Sequence, residues 1–472
     1  MSEGTDETAP PGGSARLITG AMLGLASGAI LVPLNSTMLA VALPSVMDEF
    51  GVGAATVASL VTLYLGAVAI ALPASGSLGD RFGHRRVFLF GVAAFALASA
   101  LAAAAPSFEV LALSRVLQAA SGALVSTSSV ALLREMAPPD RRGAAFGWFD
   151  MLVSTSAAIG PLIGGLLVAG LGWRWIFIVA VPVALLALVT VGALARPRSV
   201  ATRTAPRPID VSGLGLLAAL LIVLLLGLRE LEGGGSPLLT VVGAVVLLGL
   251  FVLVETRTEH PAVDPRLFAS RSFTAAVIGV FGATVILHGT LVLVPLLVEG
   301  LHAGDARTSG FVLLGISALG AIAAPIGGRM SDVVGRRQPA VIGTLASVIG
   351  LAVLWLVAPE ASTLLLGLML ALLGFGMGLA GAPRQAAALE AIEPERVGMA
   401  ASTYLTGRYL GGAVGATLAG AVLGGTVTAA GVSTGFGLLT AVAIGVTIAS
   451  MFLPSRGVRT ANRGAASAAA GR

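Results

Sequence analysis

Residues 76–86 read Gly-Ser-Leu-Gly-Asp-Arg-Phe-Gly-His-Arg-Arg, and residues 328–337 read Gly-Arg-Met-Ser-Asp-Val-Val-Gly-Arg-Arg. In both stretches a glycine, an aspartate and a second glycine stand at identical offsets, and arginines follow. Each stretch comes after the second long apolar run of its half of the chain. The repeat therefore predicts two similarly folded halves, each with a polar turn at the same place.

The composition around these turns is that of a protein embedded in a bilayer. Of the 472 residues, 56% are hydrophobic and 11% are charged, and the mean hydropathy is +0.97. A helix needs roughly 20 apolar residues to cross a hydrocarbon core ~30 Å thick, and runs of that length recur along the chain. The alternating segments of a membrane β-barrel, ~10 residues each, are not visible in the sequence. The predicted fold class is all-α, a polytopic helical membrane protein.

Fourteen spans are predicted from the apolar runs. They lie near residues 17–47, 53–77, 87–105, 108–133, 143–170, 174–195, 211–228, 237–254, 273–297, 308–327, 339–357, 361–382, 398–423 and 434–453. Two six-span bundles, at 17–195 and 273–454, flank a segment at 196–272 that holds a cytoplasmic linker and two extra spans. Residues 1–16 and 455–472 are predicted to be cytoplasmic tails, the second of them disordered.

The arginines predict the orientation in the membrane. The chain has 28 basic residues, all of them arginines. With both termini in the cytoplasm, all but five lie in cytoplasmic segments or helix ends, as the positive-inside rule requires. The exceptions are Arg115 and Arg408 in the membrane and Arg174, Arg229 and Arg307 outside. Topology thus explains the basic net charge, which gives no indication of nucleic-acid binding. The sequence has no cysteine, and no metal or cofactor site is predicted.

A stretch inside the first span, residues 33–44, reads Pro-Leu-Asn-Ser-Thr-Met-Leu-Ala-Val-Ala-Leu-Pro. It resembles the first-helix signature of the 14-helix drug:proton antiporters of the major facilitator superfamily. The resemblance implies that superfamily's fold, two six-helix bundles plus two inserted helices, in the cell inner membrane. It implies secondary active export of amphipathic small molecules, such as drugs or antibiotics, by proton antiport through alternating access. The expected partners of the monomer are substrate, protons and the lipid bilayer.

Asn35 departs from the family pattern, which usually has an aspartate at this position. An asparagine cannot carry a proton, so the substitution removes one expected proton carrier. We expect Asn35 to bind substrate as a neutral hydrogen-bond donor and acceptor, with Ser36 and Thr37 close by.

Two other residues are candidate proton carriers. Asp150 is the one carboxylate clearly inside a predicted span, where burial and a neighbouring cation shift a pKa in opposite directions. Its alternative role is an interfacial acid that pairs with Arg141 or Arg142. His288, in the outer third of the ninth span, can change charge near neutral pH. Its alternative role is a hydrogen-bonded histidine with no part in coupling.

The two polar turns resemble the superfamily's signature loop between the second and third helices. The resemblance implies a conformational gate that closes the cytoplasmic side of the outward-facing state. Glycines there permit close packing and a sharp turn, and arginines bridge to the other half or to anionic lipid. The predicted gate residues are Gly76, Asp80, Arg81, Gly83, Arg85 and Arg86 in the first copy and Gly328, Asp332, Gly335, Arg336 and Arg337 in the second. The alternative is a pair of basic turns that serve topology alone.

Two further motifs match the family. Residues 113–123, Leu-Ser-Arg-Val-Leu-Gln-Ala-Ala-Ser-Gly-Ala, resemble its motif with an intramembrane arginine, here Arg115, followed by Gln118. A membrane arginine is costly and usually faces a cavity or a partner. We expect Arg115 to bind substrate or to tune a nearby acid; the alternative is a structural bond to helix carbonyls.

Residues 158–165, Ala-Ile-Gly-Pro-Leu-Ile-Gly-Gly, resemble the antiporter motif of exporters. The motif residues are Gly160, Pro161, Gly164 and Gly165. Proline bends a helix and glycines admit a neighbouring helix, so the motif is expected to seal one face. Packing alone is the alternative explanation.

Two other functions remain open. Metabolite uptake or proton-uncoupled transport on the same fold is favoured by Asn35 and opposed by the antiporter motif. A membrane enzyme or signalling protein has no support, because the sequence shows no phosphate-binding loop and no paired-histidine metal motif. We therefore expect no enzymatic activity.

Overall fold

The computed structural model describes residues 11–137, 142–194, 210–232, 238–258, 261, 263–393 and 396–455. At residues 11–21, 142–144, 147, 150, 194, 224, 228–232 and 398 the description is limited to the backbone. The described chain is almost entirely helical, as expected where lipid offers no partner for backbone N–H and C=O groups.

Sixteen α-helices make up the described chain. They are α1 (Pro11–Met38), α2 (Leu43–Phe50), α3 (Ala54–Phe82), α4 (His84–Ala103), α5 (Phe108–Met136), α6 (Arg142–Leu171), α7 (Trp175–Ile178), α8 (Ala180–Leu194), α9 (Val211–Glu232), α10 (Leu238–Arg257), α11 (Arg271–Gly300), α12 (Ala306–Val334), α13 (Arg337–Val357), α14 (Thr363–Glu390), α15 (Val397–Leu423) and α16 (Ala429–Ser450). A 3-10 turn, Leu39–Ala42, joins α1 to α2 in one pass, and α7 and α8 form another.

The sixteen helices therefore make fourteen passes, which confirms the predicted number. Twelve passes of the described chain are long and apolar enough by length and composition to cross a membrane. The other two are α9, whose apolar part spans Val211–Gly227, and α15, which carries Arg408 in its middle. The first helix begins at Pro11 and so extends into the predicted tail, whereas residues 195–209 and 456–472 lie outside the described residues.

We name the two ends of the bundle by the chain termini. The terminal end is where α1 begins and α16 ends, and the distal end is where α3 and α5 begin. The first half consists of α1–α8 and the second of α11–α16. The inserted helices α9 and α10 pack against each other, and α9 also packs against α3 of the first half.

The halves contact each other through α3 beside α15 at the distal end. The Ala55 N–H donates to the Gly424 carbonyl at 2.9 Å. Farther down, the hydroxyls of Thr62 and Thr417 lie 3.0 Å apart. Gly412 follows on the same face, and an added Cβ there would stand 2.9 Å from a methyl carbon of Leu65. This contact therefore runs from the distal end to about the middle of both helices.

A glycine follows the first helix at each predicted gate turn. Gly83 alone separates α3 from α4, with φ +89°, whereas Gly335, with φ +92°, and Arg336 separate α12 from α13. Both angles belong to the left-handed region that favours glycine. The arginines that follow, Arg85 and Arg337, are therefore in first helical turns rather than in a loop.

Trp173 has internal partners at the distal end. Tryptophans of membrane proteins are typically found at the lipid–water interface. Trp173 is instead buried: its ring packs edge-on against Phe50 and Phe177, and its Nε1–H donates to Glu49 at 2.7 Å. Glu49 also pairs with Arg174 at 2.7 Å, so an indole and a guanidinium share this carboxylate. Such internal partners explain why the ring leaves the interface.

Candidate functional site

A buried guanidinium, Arg115 of α5, is the centre of the polar interior of the first half. Its Nη1 donates to Oδ1 of Asn35 and, at 2.9 Å, to Oε1 of Gln118. Gln118 in turn donates to the hydroxyl of Ser99 at 2.8 Å. The structure thus brings together Asn35, Arg115 and Gln118, three of the predicted site residues, from two different helices.

Aromatic rings cover the same guanidinium. The ring centre of Tyr64 lies 4.0 Å from the guanidinium carbon of Arg115, and that of Phe177 lies 5.8 Å away. Ring faces attract cations by their quadrupole, most strongly where water is excluded. The Tyr64 hydroxyl donates to the Val32 carbonyl at 3.1 Å, which holds the ring in place.

The partner of Arg115 is a neutral amide where the family usually supplies a carboxylate. The Nδ2 of Asn35 and the Nε of Arg115 are buried and have no hydrogen-bond partner within the described chain. Among the described side chains, this interior contains no acid that neutralises Arg115. Within that part of the chain, the positive charge of Arg115, ~10 Å from the distal end of α5, is not compensated.

Thr37 does not join this network. Its hydroxyl donates back to the carbonyls of Pro33 and Leu34, at 3.0 and 3.2 Å. The same side chain lies against Gly160 of α6, where an added Cβ would collide with Oγ1 of Thr37. In this structure Thr37 therefore packs α1 against α6, and its predicted contact with substrate remains a prediction.

Two arginines of the second half, Arg384 and Arg408, lie within its helices away from the helix ends. Arg384 of α14 is buried, and its Nε has no hydrogen-bond partner among the described residues. Gly279 of α11 makes room for it, since a Cβ there would stand 2.7 Å from both Cδ and Nε of Arg384. Arg408 of α15 is exposed and lies one helical turn from Gly412, which faces the first half. No ion pair with an acid is observed for either arginine within the described chain.

Tyrosines accompany two of these arginines. Tyr404 lies one helical turn before Arg408 on α15, and Tyr409 directly follows it. Tyr64, which stacks on Arg115, precedes Leu65, the α3 residue that faces Gly412 of α15. Tyr64, Tyr404 and Tyr409 are all the tyrosines of the sequence. Each half therefore has an arginine with a tyrosine beside it.

Of the two candidate proton carriers, the structure describes the side chain of His288 but not that of Asp150. His288 is half-buried, its Nδ1 lies 3.1 Å from the Thr284 carbonyl, and Gly412 packs against its ring. It has no acidic partner within the described chain, and its role in proton coupling stays a prediction. The side chain of Asp150 lies outside the described residues, although its backbone belongs to α6.

The antiporter motif lies at the contact between the halves. An added Cβ at Gly165 would stand 2.5 Å from the Ala306 carbonyl oxygen of α12. One at Gly310 of α12 would stand 2.7 Å from the carbonyl oxygen of Pro161. Gly164 faces the other way, onto α1, where its Cβ would meet the Met38 carbonyl at 2.9 Å. The motif therefore packs α6 against both halves at once, near the distal end.

The predicted gate residues make their contacts within their own halves. Asp80 pairs with His84 at 3.4 Å, and Arg85 donates to the Gly192 carbonyl at 2.6 Å. Gly76 and Gly328 face open space, because an added Cβ at either would meet nothing within 4 Å. Close packing at these two glycines, as expected from the sequence, is therefore not found in this conformation.

The second gate copy forms an ion-pair network. Arg336 pairs with Glu390 at 2.5 Å and with Asp332 at 3.1 Å, and it donates to the Ser331 hydroxyl at 2.7 Å. The bonds to Glu390 hold the pKa of Arg336 above its ordinary value, with Asp332 adding to the shift. The spacing of Asp332 and Arg336 repeats that of Asp80 and His84, so the two halves share this contact.

Replacing Glu390 with glutamine is expected to lower the free energy of unfolding by about 1–2 kcal/mol, because a charge-assisted pair to a nearly buried guanidinium is lost. Thermal unfolding of the purified protein in detergent measures the effect. Glu393→Gln is the matched control, since Glu393 is exposed and its carboxylate has no observed partner. Equal shifts for the two variants would show that the network adds nothing to stability.

The structure reveals site residues that sequence reasoning did not find. Arg384 was assigned to a cytoplasmic helix end, because the apolar run stops at residue 382, yet α14 continues to Glu390 and buries it. The tyrosines belong to no motif, and only their rarity in the composition could have indicated them. Glu299, near the end of its apolar run, is half-buried and accepts from the Ser309 hydroxyl at 3.1 Å.

Comparison with known proteins agrees with this geometry. The sequence pattern of the Major Facilitator Superfamily matches residues 25–416, and again 308–471. The chain is 34% identical over 360 residues to the tetracenomycin C resistance and export protein of Streptomyces glaucescens, covering 75% of this chain and 66% of that protein. It is 31% identical over 399 residues to a multidrug resistance protein B homolog of Mycobacterium tuberculosis, covering 82% and 73%.

Solved structures match the fold. A D-xylose-proton symporter superposes with a TM-score of 0.66 at 14% identity, covering 93% of this chain and 98% of that one. The chain belongs to the Major Facilitator Superfamily and is a multi-pass membrane transporter.

Proposed function

We propose that this transporter exports amphipathic small molecules by alternating access, driven by proton antiport. The observation that carries the proposal is the antiporter motif, whose Gly165 packs backbone to backbone against α12 at the distal seal. Similarity to proteins named for resistance and export supports the direction. The distribution of arginines supports a cytoplasmic terminal end in the bacterial plasma membrane.

The conformation supports alternating access. The contacts described between the halves lie toward the distal end, while Gly76 and Gly328 at the terminal end face open space. We infer an inward-facing state whose gate turns are disengaged. The opposite state is then expected to bring these two glycines into contact with the other half.

Export without proton coupling is the second candidate function. It is favoured by the pairing of Arg115 with the amide of Asn35, which cannot ionise. Asp150, His288 and the half-buried Glu299 are the remaining groups that could carry the proton. A transporter that has lost its carrier would still alternate, because substrate binding alone can shift a two-state equilibrium.

Everted vesicles distinguish these functions. With an acid-loaded lumen, amphipathic dyes are added outside, and dye uptake and proton release are recorded together. Proton release that follows dye uptake and disappears in Asp150→Asn, His288→Gln or Glu299→Gln supports antiport and names the carrier. Dye uptake with no proton release supports the uncoupled exporter. Vesicles that accumulate no dye above protein-free vesicles would contradict export.

Asn35→Asp is expected to create or increase substrate-triggered proton release several-fold, because it places a carboxylate within hydrogen-bonding distance of Arg115. Protonation of that carboxylate would compete with the ion pair, which is the condition for a proton switch. The same vesicle assay measures the change, with Asn35→Ala as a control that removes the amide without adding an acid. Equal proton release by the two variants would exclude this position from coupling.

A further inference from the structure

We propose that the substrates are aromatic organic anions, recognised by arginines and tyrosines of the two halves. This inference rests on the proposed export function and specifies its substrate class. Arg115 and Arg384 are buried in the first and second half, Arg408 is exposed, and no described carboxylate balances any of the three. Full ionisation of Asp150, whose side chain is not described, would offset one of the three charges.

The hydrogen-bond donors available to a substrate at the proposed binding site lie on the second half. Arg408 is exposed where α15 leaves the contact with the first half, and it makes no described hydrogen bond. The hydroxyls of Tyr404 and Tyr409 also have no hydrogen-bond partner within the described chain, whereas that of Tyr64 is occupied by Val32. A guanidinium with two phenol groups suits a carboxylate, sulfonate or phenolate, and the rings suit an aromatic body.

The arginines follow the transport path at different depths. By helical rise, Arg384 lies ~9 Å and Arg408 ~16 Å from the terminal ends of their helices, whereas Arg115 lies ~10 Å from the distal end of α5. A positive interior attracts anions and repels the cationic amphipaths that many dyes represent.

An anionic substrate also changes the energetics of export. The membrane potential, negative inside, drives an anion outward by a concentration ratio of about fifty-fold per 100 mV for each charge. Export of an anion is therefore favourable even without a proton carrier. This removes the difficulty that Asn35 creates for proton antiport, because the driving force acts on the substrate itself.

A matched pair of dyes tests the substrate class. Fluorescein and rhodamine 6G share a xanthene ring system, but the first is an anion at neutral pH and the second is a cation. Fluorescence anisotropy with the purified full chain in detergent measures their binding. The proposal expects fluorescein to bind at least ten-fold more tightly. Equal binding, tighter binding of rhodamine 6G, or no binding of fluorescein would overturn it.

Variants at Arg408 test the contact. Arg408→Gln is expected to raise the dissociation constant of fluorescein about ten-fold or more, as loss of a charge-assisted hydrogen bond does. Arg408→Lys is expected to retain most of the affinity, because it keeps the charge. Arg307→Gln, at an exposed arginine in the first turn of α12 at the distal end, is the matched control. Equal loss in Arg408→Gln and Arg408→Lys, or loss of rhodamine 6G binding in parallel, would show a structural role and overturn the contact.

Measurements of dye flux distinguish failure of the anion preference from failure of the proposed export function. In proteoliposomes with a potassium diffusion potential, fluorescein efflux is expected to accelerate when the lumen is negative. Selective fluorescein binding without protein-dependent flux would contradict export and leave the anion preference intact. Protein-dependent flux of rhodamine 6G alone would leave export intact and overturn the anion preference.

Discussion

Replacing Arg115 with methionine is expected to reduce transport about 100-fold. The substitution leaves the Oδ1 of Asn35 and the Oε1 of Gln118 buried without their donor. Each unsatisfied buried acceptor costs about 1–3 kcal/mol, and the ring of Tyr64 loses the cation on its face. The measurement is the initial rate of dye efflux per reconstituted molecule, with the amount of protein determined independently.

The conservative variant shows whether Arg115 acts by charge alone. A lysine is a point charge that cannot reproduce the planar fork of a guanidinium, so we expect Arg115→Lys to recover only part of the rate. The thermal midpoint of each purified variant separates misfolding from loss of function. Arg307→Met is the control at an exposed site. Transport within two-fold of wild type in Arg115→Met would contradict a role for this cation.

Gly165→Val is expected to open the distal seal and shift the population toward the opposite state by about 5- to 150-fold. The added Cβ would stand 2.5 Å from the Ala306 carbonyl oxygen and 3.1 Å from the Cα of Gly310. Because both are backbone atoms, a helix must move, and overpacking of this kind costs about 1–3 kcal/mol. The distal seal belongs to the inward-facing state, so this cost raises the free energy of that state and shifts the equilibrium toward the outward-facing state.

Labelling from the distal side reports the shift. The chain has no cysteine, so Thr62→Cys supplies a unique thiol at a position that is fully buried in the contact of α3 with α15. A membrane-impermeant maleimide is expected to react faster when Gly165→Val is added. Gly170→Val is the matched control on the same helix, because a Cβ there meets nothing within 4 Å. Equal labelling rates in both double variants would argue against a seal at Gly165.

The passes were predictable because hydropathy measures the property that places a helix in a membrane. Residues such as Arg115 and Gln118 could be selected from their motif, since an intramembrane arginine is costly and needs partners. Their pairing with Asn35 was not predictable from spacing, because the residues come from different helices. Which side of a helix faces its neighbour is decided by packing, and apolar runs such as these have apolar residues on every side.

The burial of Arg384 was also not predictable from the sequence pattern, because it depends on where a helix ends. Hydropathy places the end of a span where polar residues begin, whereas α14 continues beyond that point and buries the arginine against Gly279. The space that this glycine leaves depends on the distance between α11 and α14, which no local pattern encodes. Trp173 is a similar case, because its internal partner Glu49 comes from a separate segment.

Alternating access requires the distances between the halves to change in opposite directions at the two ends of the bundle. Spin labels at Phe82→Cys and Val333→Cys, both exposed at the terminal end, report the opening there. Labels at Ala104→Cys and Glu360→Cys report the distal end. In liposomes, adding fluorescein is expected to produce a second population, in which the distance between the terminal labels is shorter and the distance between the distal labels is longer. Distributions that stay unchanged at both ends, while the same protein transports the dye, would contradict the account.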